Sequence, residues 1–248
     1  MAVVHLLGTG AAFSDARRTT TMLAFESRGR AVVVDCGADV VQRLLAAGIG
    51  VDAVDALVVT HEHPDHAAGF PLFMERIWIG GRRRPIDVYG IAPAIAQARR
   101  CYEAFETGGW KDVPEIRWHG VEHSEGAHVL EDARWRITAA PGTHGVPVIG
   151  LRVEDVLGGG VAAYSCDTEP CDAIVRLARG ARLLVHEASG GFKGHTSNED
   201  AARVAAEAGT ERLVLVHLPP DVKDADLEEA RRTFPQVEFG EDGGRDEF

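Results

Sequence analysis

Short apolar runs rich in β-branched residues recur along the chain, each closed by a turn or followed by a helical segment. Val3–Leu7 and Ala31–Asp35 are two such runs, and Met22–Glu26 pairs with the second across the turn at Ser27-Arg28-Gly29. Ala56–Thr60 is apolar almost throughout, as a strand buried on both faces would be. Ile86–Tyr89, Trp135–Ala139, Val148–Val153, Val161–Ser165, Leu183–His186 and Leu213–Val216 read as further strands. Helices are predicted over Ala38–Ala47, Ala92–Phe105, the segment from Pro170 to Gly180, the Ala-rich stretch after Thr196-Ser197-Asn198-Glu199, and Ala225–Phe234. The segment 116–128, with three His, reads as irregular. Each half runs strands first and strand–helix units after, which suggests two stacked sheets with helices outside. No linker divides residues 1–240, so they form one domain, and the Gly- and acid-rich residues 241–248 read as a disordered tail.

Directly after the apolar strand Ala56–Thr60 comes His61-Glu62-His63-Pro64-Asp65-His66. Chance placement of three His and one Asp in that pattern runs to roughly one in a thousand. Imidazole with carboxylate is the ligand set of Zn, Mn or Fe. His61 and His63 point one way in an extended turn, while Asp65 and His66 reach toward a second ion. Six residues cannot complete two coordination spheres, so the pattern predicts further ligands elsewhere. His144, Asp167 and His217 each follow a predicted strand, and His195 precedes the Ala-rich helix. Any one of them alone is more often structural. Together they stand where sheet-based sites are built.

These residues resemble the metallo-β-lactamase superfamily, and within it the ribonuclease Z group. The likeness rests on Leu7-Gly8-Thr9-Gly10, on Val34-Asp35-Cys36-Gly37, and on His61–His66 followed by Gly69-Phe70-Pro71-Leu72. His186-Glu187-Ala188-Ser189, Gly194-His195-Thr196 and His217 extend it almost to the end of the chain. The resemblance implies an α/β (α+β) fold: a four-layer αββα sandwich of two stacked mixed sheets with helices outside and a dinuclear site on its edge. It implies that His61, His63 and His144 hold one divalent ion, that Asp65, His66 and His217 hold the other, and that Asp167 bridges them. The ions are expected to be zinc, with manganese or iron as alternatives. Two such ions sharing a hydroxide generate a nucleophile at neutral pH. Asp65 orients it, and His195 protonates the leaving group. His63 stands where oxygen-reducing di-iron members carry an acid, which favours hydrolysis over redox chemistry.

The expected activity is therefore metal-dependent hydrolysis of ester bonds, with phosphodiesters first. Hydrolysis of a lactone, thioester or sulfate ester is the alternative, and a non-catalytic metal-binding carrier is the third. The formal charge of −12 argues against coating long polyanions. The short interval between His144 and Asp167 leaves no room for the arm with which ribonuclease Z proteins grip tRNA. A small anionic ester or a short single-stranded nucleic acid is the expected substrate, and whole tRNA is disfavoured. Arg82-Arg83-Arg84 reads as a solvated face, and His119, His123 and His128 as a surface loop. No apolar run approaches the roughly 18 residues of a membrane span, and no signal peptide is evident. The reading is a cytoplasmic protein whose four Cys are reduced thiols, with a homodimer suggested by the resemblance.

Overall fold

The computed structural model describes residues 1–248. The first half of the chain runs β1 (Val3–Gly8), β2 (Met22–Ser27), β3 (Arg30–Val34), α1 (Val40–Ala46), β4 (Val54–Val59), α2 (Pro64–Ala67), α3 (Phe70–Ile79), β5 (Ile86–Gly90), α4 (Ala92–Glu103) and β6 (Ile116–Gly120). The second half runs β7 (Ala127–Glu131), β8 (Trp135–Pro141), β9 (Ile149–Asp155), β10 (Val161–Tyr164), α5 (Asp172–Ala178), β11 (Leu183–Glu187), α6 (Asn198–Ala208), β12 (Arg212–Val216), α7 (Glu228–Thr233), β13 (Val237–Phe239) and β14 (Arg245–Glu247).

Two seven-stranded sheets result, ordered β14-β1-β2-β3-β4-β5-β6 and β13-β12-β11-β10-β9-β8-β7. Each is mixed in the same way. Antiparallel pairs make one side, from β14 to β3 and from β7 to β10; all are between successive strands except β14 against β1, which joins the two ends of the sequence. Crossover units make the parallel side, from β3 to β6 and from β10 to β13. The inner faces of both sheets share one apolar core, to which α1, α3 and α4 add Leu44, Phe70, Phe73, Met74, Ile77, Ala94 and Ala98. A second core lies under α5, α6 and α7 on the outer face of the other sheet. This is the αββα arrangement expected from the sequence.

Several local expectations are corrected. Residues 116–128 are not irregular, because β6 and the start of β7 form the matching edges of the two sheets. There His119 stacks on Tyr89 and bonds Asp87 at 2.7 Å. The tail is ordered: β14 pairs with β1, and Phe248 is buried with its ring edge-on to Phe25. Arg82 does not face solvent. Its guanidinium is fully buried and donates to the carbonyls of Val51, Val54 and Pro85 at 3.0, 2.7 and 2.6 Å. Burial, with Arg84 nearby, pulls its pKa down to about 10. The cap of α6 is Ser197, one residue later than the Thr196 spacing suggested, with Oγ accepting from the Asp200 amide. α3 was not foreseen, although Phe70, Phe73, Met74 and Ile77 follow helical spacing and Pro71 sits in its first turn. All four Cys are free thiols.

Candidate metal centre

The parallel strands of each sheet end together, and their C-terminal loops meet along one edge of the sandwich. β4 delivers Thr60 and His61, both fully buried. His63 then caps α2, with Pro64 at its first position, and that single turn carries Asp65 and His66. Gly37 lets the neighbouring loop pass, since a Cβ there would lie 1.7 Å from the Asp65 carbonyl oxygen. From the other sheet come His144 after β8, Asp167 after β10, Glu187 at the end of β11, and His217 after β12.

Three of these turns use left-handed backbone at residues other than glycine: Asp35 (φ 63°), Cys166 (φ 53°) and His217 (φ 55°). Each costs on the order of 1 kcal/mol or more, and such strain concentrates at functional sites. Cys166 thus holds a backbone conformation that suits Gly best.

The seven residues picked from the sequence as metal ligands are brought together in two groups. His61, His63, His144 and Asp167 form one and Asp65, His66, Asp167 and His217 the other, with the ligand atoms of each within 4.8 Å of one another. Asp167 belongs to both. His63 Nδ1 lies 3.1 Å from His61 Nε2 and 3.2 Å from His144 Nε2. His217 Nε2 lies 3.2 Å from Asp65 Oδ2 and 3.4 Å from Asp167 Oδ2. His66 Nε2 lies 3.5 Å from Asp167 Oδ1.

Outer partners fix which ring nitrogen faces inward. His66 Nδ1 donates to Asp35 Oδ2 at 2.8 Å, and His144 Nδ1 donates to the Gly194 carbonyl at 2.7 Å. Ser189 Oγ donates to the His217 carbonyl, so it accepts from His217 Nδ1. Thr60 Oγ1 gives its proton to Asp35, so it accepts from His61 Nδ1 at 3.2 Å. In all four rings the Nε2 lone pair is thereby turned into the site, the tautomer a metal requires. Burial and the neighbouring imidazoles pull the pKa of His61 and His63 down and keep them neutral. Burial would raise Asp65 and Asp167, yet the surrounding imidazoles hold both carboxyls below the usual range.

His66 Nε2 and Asp167 Oδ1 are buried and have no hydrogen-bond partner. Orphaned buried polar atoms are costly, and these two aim into a space ringed by lone pairs. The donor set therefore fits divalent metal.

His195 lies beside both groups. Its ring stacks nearly parallel on His217, with centroids 5.5 Å apart, and stands edge-on to His144 at 5.0 Å. Its Nδ1 bonds the fully buried Glu187, whose carboxylate also accepts from the amides of Thr168, Ser189 and Thr196. Burial lowers the His195 pKa, but Glu187 more than offsets this and the net shift is upward. Sequence reasoning gave no role to Asp35, Glu187 or Ser189. Only the motifs containing them were visible. His119, His123 and His128 do not join the centre: His119 and His123 bond Asp87 and the Val148 carbonyl, and His128 is exposed.

Residues 30–218 match the family model described as a beta-lactamase superfamily domain. A ribonuclease Z of Methanothermobacter thermautotrophicus is 30% identical over 98% of this chain and 95% of its own length. Among solved structures, the metallo-beta-lactamase fold protein YhfI from Bacillus subtilis superposes with TM-score 0.81 at 23% identity, covering 98% of both chains. The short form of human tRNase Z superposes with TM-score 0.81 at 22% identity, covering 100% of this chain and 99% of its own. This chain belongs to the beta-lactamase superfamily. Within it the likeness runs to ribonuclease Z across almost the whole length, and the chain is an enzyme, a metal-dependent hydrolase of ester bonds. No helix is long and apolar enough to cross a membrane.

Proposed function

We propose that this enzyme is a dinuclear phosphodiesterase of the ribonuclease Z type, acting on small anionic esters or short single-stranded nucleic acid. His61, His63 and His144 hold one ion, Asp65, His66 and His217 hold the other, and Asp167 is shared. Zinc suits the imidazole-rich donors. Bound there, the metals supply an activated water for attack and neutralise charge on the phosphoryl oxygens. Asp65, half-buried beside His217, orients that water. His195 gives its proton to the departing alkoxide from Nε2, because Glu187 occupies Nδ1.

The observation that carries this reading is His195 held by Glu187 at 3.1 Å, with its ring stacked on the ligand His217. A proton donor in that place is needed when the leaving group is a poor one, as in a nucleic-acid diester. Two features argue for compact substrates. β9 and β10 are joined by a tight turn through Gly158-Gly159-Gly160 rather than by an arm. The ribonuclease Z relative aligns over 298 positions against 248 residues here, so it carries segments this chain lacks.

The test is a panel on metal-quantified protein: a dinucleotide, a p-nitrophenyl phosphodiester, pre-tRNA, a lactone, a thioester and a sulfate ester. Turnover of both diesters is expected. His195→Ala is expected to slow the dinucleotide by ~10²–10⁴-fold and the activated p-nitrophenyl ester much less. Equal losses on both would remove the proton-donor role, and faster turnover of the lactone, thioester or sulfate ester would replace the phosphodiester assignment.

A further inference from the structure

Next to His195 the chain presents an aromatic ring to solvent. Phe192 is 57% exposed, yet it is held in place. Its amide bonds the Gly190 carbonyl and its carbonyl accepts from the His195 amide, both at 2.9 Å. Gly190 (φ 130°) and Gly194 (φ 90°) bracket the turn. The ring lies against bare Gly190, where a Cβ would sit 3.1 Å from the ring edge. Its centroid is 4.8 Å from that of His195. Lys193, the next residue, is exposed and belongs to no ion pair, although most cations of this acidic chain are paired.

Single exposed apolar side chains are ordinary. This one is fixed by its own backbone against the proposed proton donor, and an unpaired cation follows it. We propose that Phe192 and Lys193 form a nucleotide subsite on the leaving-group side of the scissile bond, where the ring stacks on the nucleobase and the ammonium meets the next phosphate. The inference rests on the phosphodiesterase reading and narrows it to substrates whose leaving group is a nucleoside within a single strand. The side follows from chemistry: His195 protonates the departing oxygen, so whatever packs against its ring lies next to the departing group. Every base has a π-face, so such a platform accepts any base but rejects a leaving group without one. The turn that carries the ring is already ordered by its backbone bonds and the ring rests on Gly190 and His195, which lowers the ordering cost of stacking.

Two diesters with the same retained nucleoside are compared, one releasing a nucleoside and one releasing an abasic sugar. The wild-type enzyme is expected to favour the first by about tenfold or more in kcat/KM, mainly through KM. Phe192→Ala is expected to cut that ratio by about tenfold, and Phe192→Trp to keep it. Lys193→Gln is expected to raise KM for a trinucleotide and to reduce the salt dependence of kcat/KM by about one charge. Circular dichroism checks that the variants are folded. A wild-type ratio near one, or equal losses on both diesters in Phe192→Ala, would overturn the subsite while leaving the phosphodiesterase reading intact. If neither diester is cleaved, that reading falls and the subsite with it.

Discussion

The two halves of the proposed metal centre are built differently. The group of His61, His63, His144 and Asp167 is mostly imidazole, with His63 and His144 partly open to solvent. The group of Asp65, His66, Asp167 and His217 has two carboxylates and is more buried. Its His66 leans on Asp35, a full carboxylate anchored in turn by the Thr60 amide and hydroxyl. The corresponding support of His144 is a single backbone carbonyl, that of Gly194. Charged hydrogen-bond partners are stronger and raise ligand basicity. On the dinuclear proposal the more acidic group should therefore hold its ion more tightly and exchange it more slowly, and the open group is the one expected to meet substrate.

The largest expected effect comes from the residue both groups share. Asp167→Ala removes a proposed ligand from each group, so metal content should fall to near zero and activity to background. Elemental analysis after dialysis checks this, and retention of one tightly bound ion would mean the groups are independent. Asp35→Asn comes next. It keeps the shape but weakens the support of His66, so affinity for the tighter ion should fall by ~10–100-fold in a chelator competition. Gly194→Ala strains a φ of 90° and pushes a Cβ to 3.1 Å from His144 Nδ1. It should weaken only the looser ion, by about tenfold or less, and loss of the tighter one would reverse the assignment. Phe248→Ala has the smallest expected effect on the centre. It empties a fully buried site and should cost ~3–5 kcal/mol in denaturant unfolding while leaving metal stoichiometry unchanged.

The same asymmetry governs what could be read without coordinates. His61–His66 is contiguous, so its chemistry is visible as a pattern. His144, Asp167, His195 and His217 are isolated, and each was recoverable because it stands beside a strand or helix boundary. Asp35 was not recoverable as a support for His66. The two are 31 residues apart and meet only because β3 and β4 pair in parallel and the chain turns through left-handed backbone at Asp35. Ser189 was hidden in the same way, by the crossover from β11 to β12, whereas Glu187 meets His195 only through the turn of the loop between β11 and α6. Arg82 reads as polar and exposed until the turn around it offers carbonyls that satisfy its donors. The final segment looks like a tail because its one large apolar residue is the last, and sheet pairing rather than composition orders it.

That last strand has a consequence for how the enzyme is made. β14 belongs to the sheet begun by β1, and the Phe248 amide bonds the Ala2 carbonyl at 3.1 Å. During synthesis the first sheet therefore waits, with one edge open, until β14 has been made. The amino-terminal half holds the dense His-Asp motif from early on, but its sheet closes only after the whole second half has been made. Ala2 and Phe248 lie side by side, so a short peptide bridge joining the two would give a circular form of these residues whose new ends could open at the β9–β10 turn.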